Sequence, residues 1–106
     1  MEVITMAREL KKVVVDAVRT AFGRAGEKGV FWKTRADDLV VPLLKALMER
    51  NLGVSPDMIG VNIWGVTNQV KEQGGTLGRM VGMLADWGYE ISGCSVDRMC
   101  AGALRP

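Results

Sequence analysis

The feature that most constrains this chain is an alternation of two residue periods. Short strand-like runs lie at 12–18, which is rich in β-branched residues, at 59–66 and at 91–96, and two stretches between them carry apolar residues at helical spacing. A continuous apolar run suits a buried strand, whereas a period near 3.6 suits a helix. The order strand, helix, strand, helix, strand implies right-handed crossovers and a mainly parallel sheet, which is an α/β class. The run Lys12-Val13-Val14-Val15-Asp16-Ala17-Val18 reads as the first strand, buried on both faces. Residues 19–33 follow as a loop, with Gly23, Gly26 and Gly29 and the aromatics Phe31 and Trp32. Their glycine spacing differs from the dinucleotide fingerprint, so the reading is ordinary loop flexibility rather than phosphate binding.

The helices have recognisable ends. Thr34-Arg35-Ala36-Asp37 has the form of a capping box, and Asp37 and Asp38 suit a first turn. Leu39, Val40, Leu43, Leu44, Leu47 and Met48 then keep helical spacing up to Asn51 and Gly53. Pro42 predicts a kink or a later start, because proline removes a helical hydrogen bond. Ser55-Pro56-Asp57 reads as a capped turn, residues 59–66 as the second strand with Val61, Ile63 and Trp64 supplying bulk, and 68–75 as a polar turn. Thr76 is placed to cap a second helix reaching Asp86, with Leu77, Met80, Val81, Leu84 and Trp87 on one stripe. Gly75, Gly78, Gly82 and Ala85 form a second, smooth face that admits close approach of another element. Residues 91–96 are the third strand.

Composition removes several function classes. A chain of 106 residues with 48% hydrophobic and 25% charged residues is one globular domain or part of one. The formal net charge of +2, without a basic stripe, argues against a nucleic-acid partner. No apolar run approaches the ~18 residues of a membrane span, and the opening residues lack a signal-peptide pattern. A cytoplasmic, reducing location is therefore expected, consistent with only two cysteines. Residues 1–10 read as an N-terminal extension and 11–106 as the domain. No metal site and no covalently bound cofactor are expected; Trp32, Trp64, Trp87 and the methionines read as packing residues. Arg19 and Arg24 read as solvated loop charges.

Cys100 is the candidate catalytic residue. The strand at 91–96 runs towards it, and Ala101-Gly102-Ala103-Leu104 after it are small, helix-compatible residues. Such a junction places a sulfur near free N–H groups and a helix dipole, which favour thiolate. The competing reading is a buried structural cysteine, which composition alone favours. Cys94 reads as a core cysteine; on an extended strand its separation from Cys100 exceeds the ~7 Å limit for disulfide-linked Cα atoms. The chain has no histidine, the usual base that activates a Cys or Ser nucleophile.

Several landmarks share an order and spacing. These are Val13-Val14-Val15-Asp16-Ala17-Val18-Arg19-Thr20-Ala21-Phe22-Gly23-Arg24, Arg35-Ala36-Asp37-Asp38-Leu39, Trp64-Gly65-Val66-Thr67-Asn68-Gln69, Glu72-Gln73-Gly74 with Arg79, and Val96-Asp97-Arg98-Met99-Cys100-Ala101-Gly102-Ala103-Leu104. Together they resemble the N-terminal part of the thiolase family, the acetyl-CoA acetyltransferases and 3-ketoacyl-CoA thiolases. The resemblance implies that Cys100 accepts an acyl group from a coenzyme A thioester, with thiolysis or Claisen condensation as the second step. It also implies that the Cys100 backbone N–H is an oxyanion donor. Two departures stand out: Asp97 where the family commonly has Asn, and Gly102 where it has Ser or Thr. Asp97 would bear on the thiol if it pointed inward.

The resemblance further implies a five-stranded sheet whose first strand lies between the second and fourth, so these residues form a partial domain. In the family the catalytic His and a second, acid–base Cys lie in later segments. The expectations are that the chain is marginally stable and inactive alone. It is also expected to self-associate through the strand from Ile91 to Val96, or to be complemented by the missing thiolase portion. A non-catalytic remnant and a small thiol-redox protein using Cys94 and Cys100 are the alternatives.

Overall fold

The computed structural model describes residues 12–104. Helix α1 (Ala36–Arg50) is followed by a 3-10 turn at Pro56–Met58 and strand β1 (Val61–Gly65). A second 3-10 turn at Lys71–Gln73 leads to helix α2 (Leu77–Leu84) and strand β2 (Ser92–Val96). The strands pair in parallel, with Val61 opposite Ser92 and Gly65 opposite Val96, so the α/β class and the parallel crossover stand.

Helix α1 begins where the sequence places it, but not by the expected cap. Arg35, with extended backbone, occupies the N-cap position, and no side chain at that position caps the helix. Asp37 instead holds the Arg35 guanidinium through two bonds of 3.0 Å. The Ala36 N–H donates to Glu72 Oε1 at 3.3 Å, so the cap arrives from a distant part of the chain. Pro42 neither delays the start nor ends the helix. Pro42 and Asp38, whose carbonyl loses its donor, are both exposed residues.

Helix α2 is rotated relative to its apolar stripe. Leu77, Gly78, Val81 and Gly82 are buried, as is Ala85, whereas Leu84 is 53% exposed. The smooth face thus supplies half of the contact. A Cβ on Gly93 of β2 would stand 2.5 Å from the Gly78 carbonyl oxygen and 2.6 Å from Arg79 Cα; one on Gly78 would collide with the Cys94 carbonyl. Two glycines therefore bring helix and strand backbones together. Thr76 does not cap α2: its left-handed backbone (φ 64°) is not the extended geometry that an N-cap hydroxyl needs.

The core comprises Leu44, Val66, Leu77, Val81 and Ala85, flanked by Val40, Val41, Trp64 and Trp87. Asn62 is buried within it and satisfied on both sides. Its Nδ2 donates to the Gly78 carbonyl at 2.6 Å, and its Oδ1 accepts from Trp64 Nε1 at 2.8 Å. Trp32, expected to pack, is 57% exposed.

The expected first strand is corrected. Among the described residues the sheet has two strands, and 12–18 has no regular structure. Val13, Val14 and Val15 are 76%, 90% and 72% exposed. The run is tied down at Asp16, which pairs with Arg50 at 3.0 Å and accepts from Asn51 Nδ2 at 2.8 Å at the end of α1. An apolar run becomes a strand only where an edge receives its hydrogen bonds, and here its one charged residue is held by a helix end instead. The expected extension at 1–10 lies outside the described residues. No helix among them is long and apolar enough to cross a membrane.

Candidate active site at the carboxyl ends of the strands

Because β1 and β2 are parallel, their carboxyl ends finish side by side. Pairing continues for one more residue, the Val66 N–H donating to the Val96 carbonyl at 2.9 Å. The loops that leave this end carry Thr67 from β1 and Cys100 from β2. In open α/β sheets this is the end at which ligands bind.

The Cys100 turn is fixed by short-range bonds. The Met99 N–H donates to Asp97 Oδ1 at 2.9 Å. The Met99 carbonyl accepts from Thr67 Oγ1 at 3.0 Å and from the Gly102 N–H at 3.3 Å. The N–H groups of Ala101 and Leu104 donate to the Arg98 and Ala101 carbonyls, each at 3.1 Å. These are successive turns, and the helix expected from Ala101 onward is not formed within the described residues. The dipole argument for Cys100 therefore lacks its helix. Asp97 also departs from expectation, since its carboxylate is used within the turn.

Glycines again permit the approach. A Cβ on Gly65 would stand 2.6 Å from Ala103 N and from the Gly102 carbonyl carbon. One on Gly102, which is buried, would stand 3.3 Å from Gly65 Cα and from the Val96 oxygen. Gly65 thus seats the Cys100 turn against the end of β1. A serine at position 102 would require a shift of a few tenths of an ångström.

Cys100 is exposed, which overturns the buried structural reading. Cys94 is half-buried within β2, opposite Ile63, and both thiols are free. Arg19 stays local, bonding the Thr20 carbonyl at 3.0 Å with its guanidinium 5.8 Å from the Phe22 ring centroid. The landmark carboxylates serve the scaffold. Arg35, by its hydrogen bonds, holds the Asp37 carboxyl below its usual range, and backbone N–H donors do the same for Glu72. Thr67 and Gly65 were not singled out as site residues from sequence; membership of the Trp-Gly-Val-Thr landmark was the available signal.

These features define an α/β unit that presents an exposed cysteine at the carboxyl end of a parallel strand pair. Residues 12–105 match the family model for the thiolase N-terminal domain. The 3-ketoacyl-CoA thiolase of Idiomarina loihiensis is 38% identical over 93 residues, and that of Aliivibrio salmonicida is 40% identical over 93. That of Marinobacter nauticus is 41% identical over 92. The matches cover 88%, 88% and 87% of this chain and 24%, 24% and 23% of the relatives. The chain belongs to the thiolase family, and it spans about a quarter of the length of these relatives.

Proposed function

We propose that residues 11–106 are the nucleophile-bearing part of a thiolase-type acyl-CoA C-acyltransferase, with Cys100 as the acyl acceptor. The observation that carries this reading is the exposed Cys100 in its family landmark at the carboxyl end of β2. The Cys100 thiolate attacks the carbonyl carbon of an acyl-CoA, the carbon–sulfur bond to CoA breaks, and the CoA thiolate leaves with a proton. The thioester on Cys100 is then consumed either by a CoA thiol, which is thiolysis, or by an acetyl-CoA carbanion, which is Claisen condensation.

The second step needs a base to deprotonate the incoming CoA thiol or acetyl-CoA, and the 106 residues contain no histidine to serve as one. The chain alone therefore does not turn over; the base comes from a complementing thiolase portion. Association through the strand from Ile91 to Val96 with a second copy, or complementation by that portion, completes the assembly. The working location is the cytoplasm.

Incubation with acetyl-CoA followed by peptide mass spectrometry tests the reading. An acetyl group on Cys100 is the expected result. Absence of an adduct on a Cys100 that iodoacetamide still modifies would defeat it, and a reversible two-hydrogen loss linking Cys94 to Cys100 would replace it with thiol-redox chemistry. Thiolysis of acetoacetyl-CoA by the chain alone would show that the missing base is not required.

A further inference from the structure

Three of the hydrogen bonds that hold the Cys100 turn converge on one residue, Met99. Its N–H is bound by Asp97 at 2.9 Å, and its carbonyl is bound by the Thr67 hydroxyl at 3.0 Å and by the Gly102 N–H at 3.3 Å. Its φ of 53° lies in the left-handed region, which a methionine enters at a conformational cost, so bonds on both sides of the residue oppose relaxation. The Met99–Cys100 peptide is trans, as are all described peptides. In a trans peptide the N–H points opposite to the C=O, so fixing the Met99 carbonyl fixes the direction of the Cys100 N–H.

That direction matters for acyl transfer. As a thiolate adds to a carbonyl, negative charge develops on the carbonyl oxygen, and a pre-aimed N–H stabilises it. Thr67 lies just beyond β1, whereas Asp97 and Gly102 belong to the turn itself. The Thr67 hydroxyl ties the Met99 carbonyl to the β1 side by a hydrogen bond, beside the close approach of Gly65 and Gly102.

We propose that Thr67 is a positioning residue for acyl transfer to Cys100, acting through the Met99 carbonyl to aim the Cys100 N–H at the developing oxyanion. The inference rests on the reading of Cys100 as acyl acceptor. It departs from a purely structural role for the Thr67 bond in one respect. Acylation of Cys100 depends on the bond, whereas alkylation, which develops no oxyanion, does not.

The test compares two reagents on the full chain, with modification at Cys100 followed by peptide mass spectrometry. With p-nitrophenyl acetate, sulfur bonds to the acetyl carbon and p-nitrophenolate leaves; with iodoacetamide, sulfur displaces iodide. Thr67→Val keeps the branched shape and removes the hydroxyl. It should lower the ratio of acylation rate to alkylation rate about tenfold, less than the ~100-fold or more lost when an oxyanion donor is removed outright. Thr67→Ser should stay within about twofold of the parent, because the donor is retained. An unchanged ratio in Thr67→Val overturns the proposal. If circular dichroism shows that Thr67→Val has lost its fold, Thr67→Ala carries the test: the same fall supports the proposal and an unchanged ratio overturns it. A parent chain that acetyl-CoA fails to acylate would defeat the acyl-CoA reading while the reagent ratio still decides the role of Thr67.

Discussion

Two runs that the sequence assigns to strands, 12–18 and 91–96, meet opposite fates. The second becomes β2, paired along its length with β1 and packed beneath α2. The first has no regular structure and leaves three valines largely exposed. Intrinsic preference would favour the first, which carries four valines, over the second, whose only β-branched residues are Ile91 and Val96, so propensity does not explain the outcome. The difference lies in small residues that admit a neighbour. Gly93 lets α2 settle onto β2 through Gly78, whereas the run at 12–18 contains no glycine and its Asp16 is held by Arg50 and Asn51. Strand propensity is local, but a strand requires a backbone partner at close range.

The largest test of this contrast is a methyl group in each run. Gly93→Ala places a Cβ among the backbone atoms of Gly78 and Arg79, which cannot rotate away as a side chain would. It should cost about 3 kcal/mol or more and abolish a cooperative thermal transition. Val14→Ala, at a position 90% exposed, should stay within about 0.5 kcal/mol. Chemical denaturation of both variants checks the pair. Similar losses would show that 12–18 is packed after all.

Next comes the buried amide. Asn62→Ala removes partners from both the Gly78 carbonyl and Trp64 Nε1. A loss of about 1–3 kcal/mol is expected, read as a shift of the urea midpoint, because groups away from water are left unpaired. The loss should fall on the β1–α2 contact and leave Ala17, in the N-terminal run, unaffected in an NMR spectrum.

A smaller effect is expected at the tertiary cap. Glu72→Ala removes the acceptor for the Ala36 N–H and should lower the melting temperature slightly, with fraying confined to the first turn of α1. Hydrogen exchange of the Ala36 amide measures it. Unchanged protection there would show that Glu72 is not the cap.

These outcomes bear on how much the sequence disclosed. Both helices, β1, β2 and their parallel sense followed from periodicity, because local propensity and tertiary packing agree in those segments. The cap of α1 did not, because Glu72 reaches Ala36 across 36 positions and a local box was the only pattern on offer. The fate of 12–18 was hidden for the same reason, since its partners, Arg50 and Asn51, are distant in sequence. At the candidate site, the approach of a strand to Cys100 was legible, and β2 ends four residues before it. The local pattern suggested a helix after it where turns are found. The contacts of Gly65 and Thr67 with that turn depend on two strands ending together, which no single segment encodes.

The N-terminal tether supplies the most delicate test. Asn51 donates to the Asp16 carboxylate, the Ala17 N–H donates at 2.7 Å, and Arg50 adds its charge, so the carboxyl is held below its ordinary value. A depressed folded value means that the tether contributes above the unfolded carboxyl pKa, about 3.9, and is lost as pH falls through the lower folded value. The Ala17 amide, bonded to the titrating oxygen, should therefore report a midpoint below about 3.9 in an NMR titration. Asn51→Ala removes the largest cause of the shift, and the midpoint should move upward. The amides of β1 and β2 should hold still through this window, because Asp16 contacts the end of α1 and not the sheet. Movement of the strand amides together with Ala17 would mean that the run at 12–18 is coupled to the sheet, and the division between the two runs would then be one of degree.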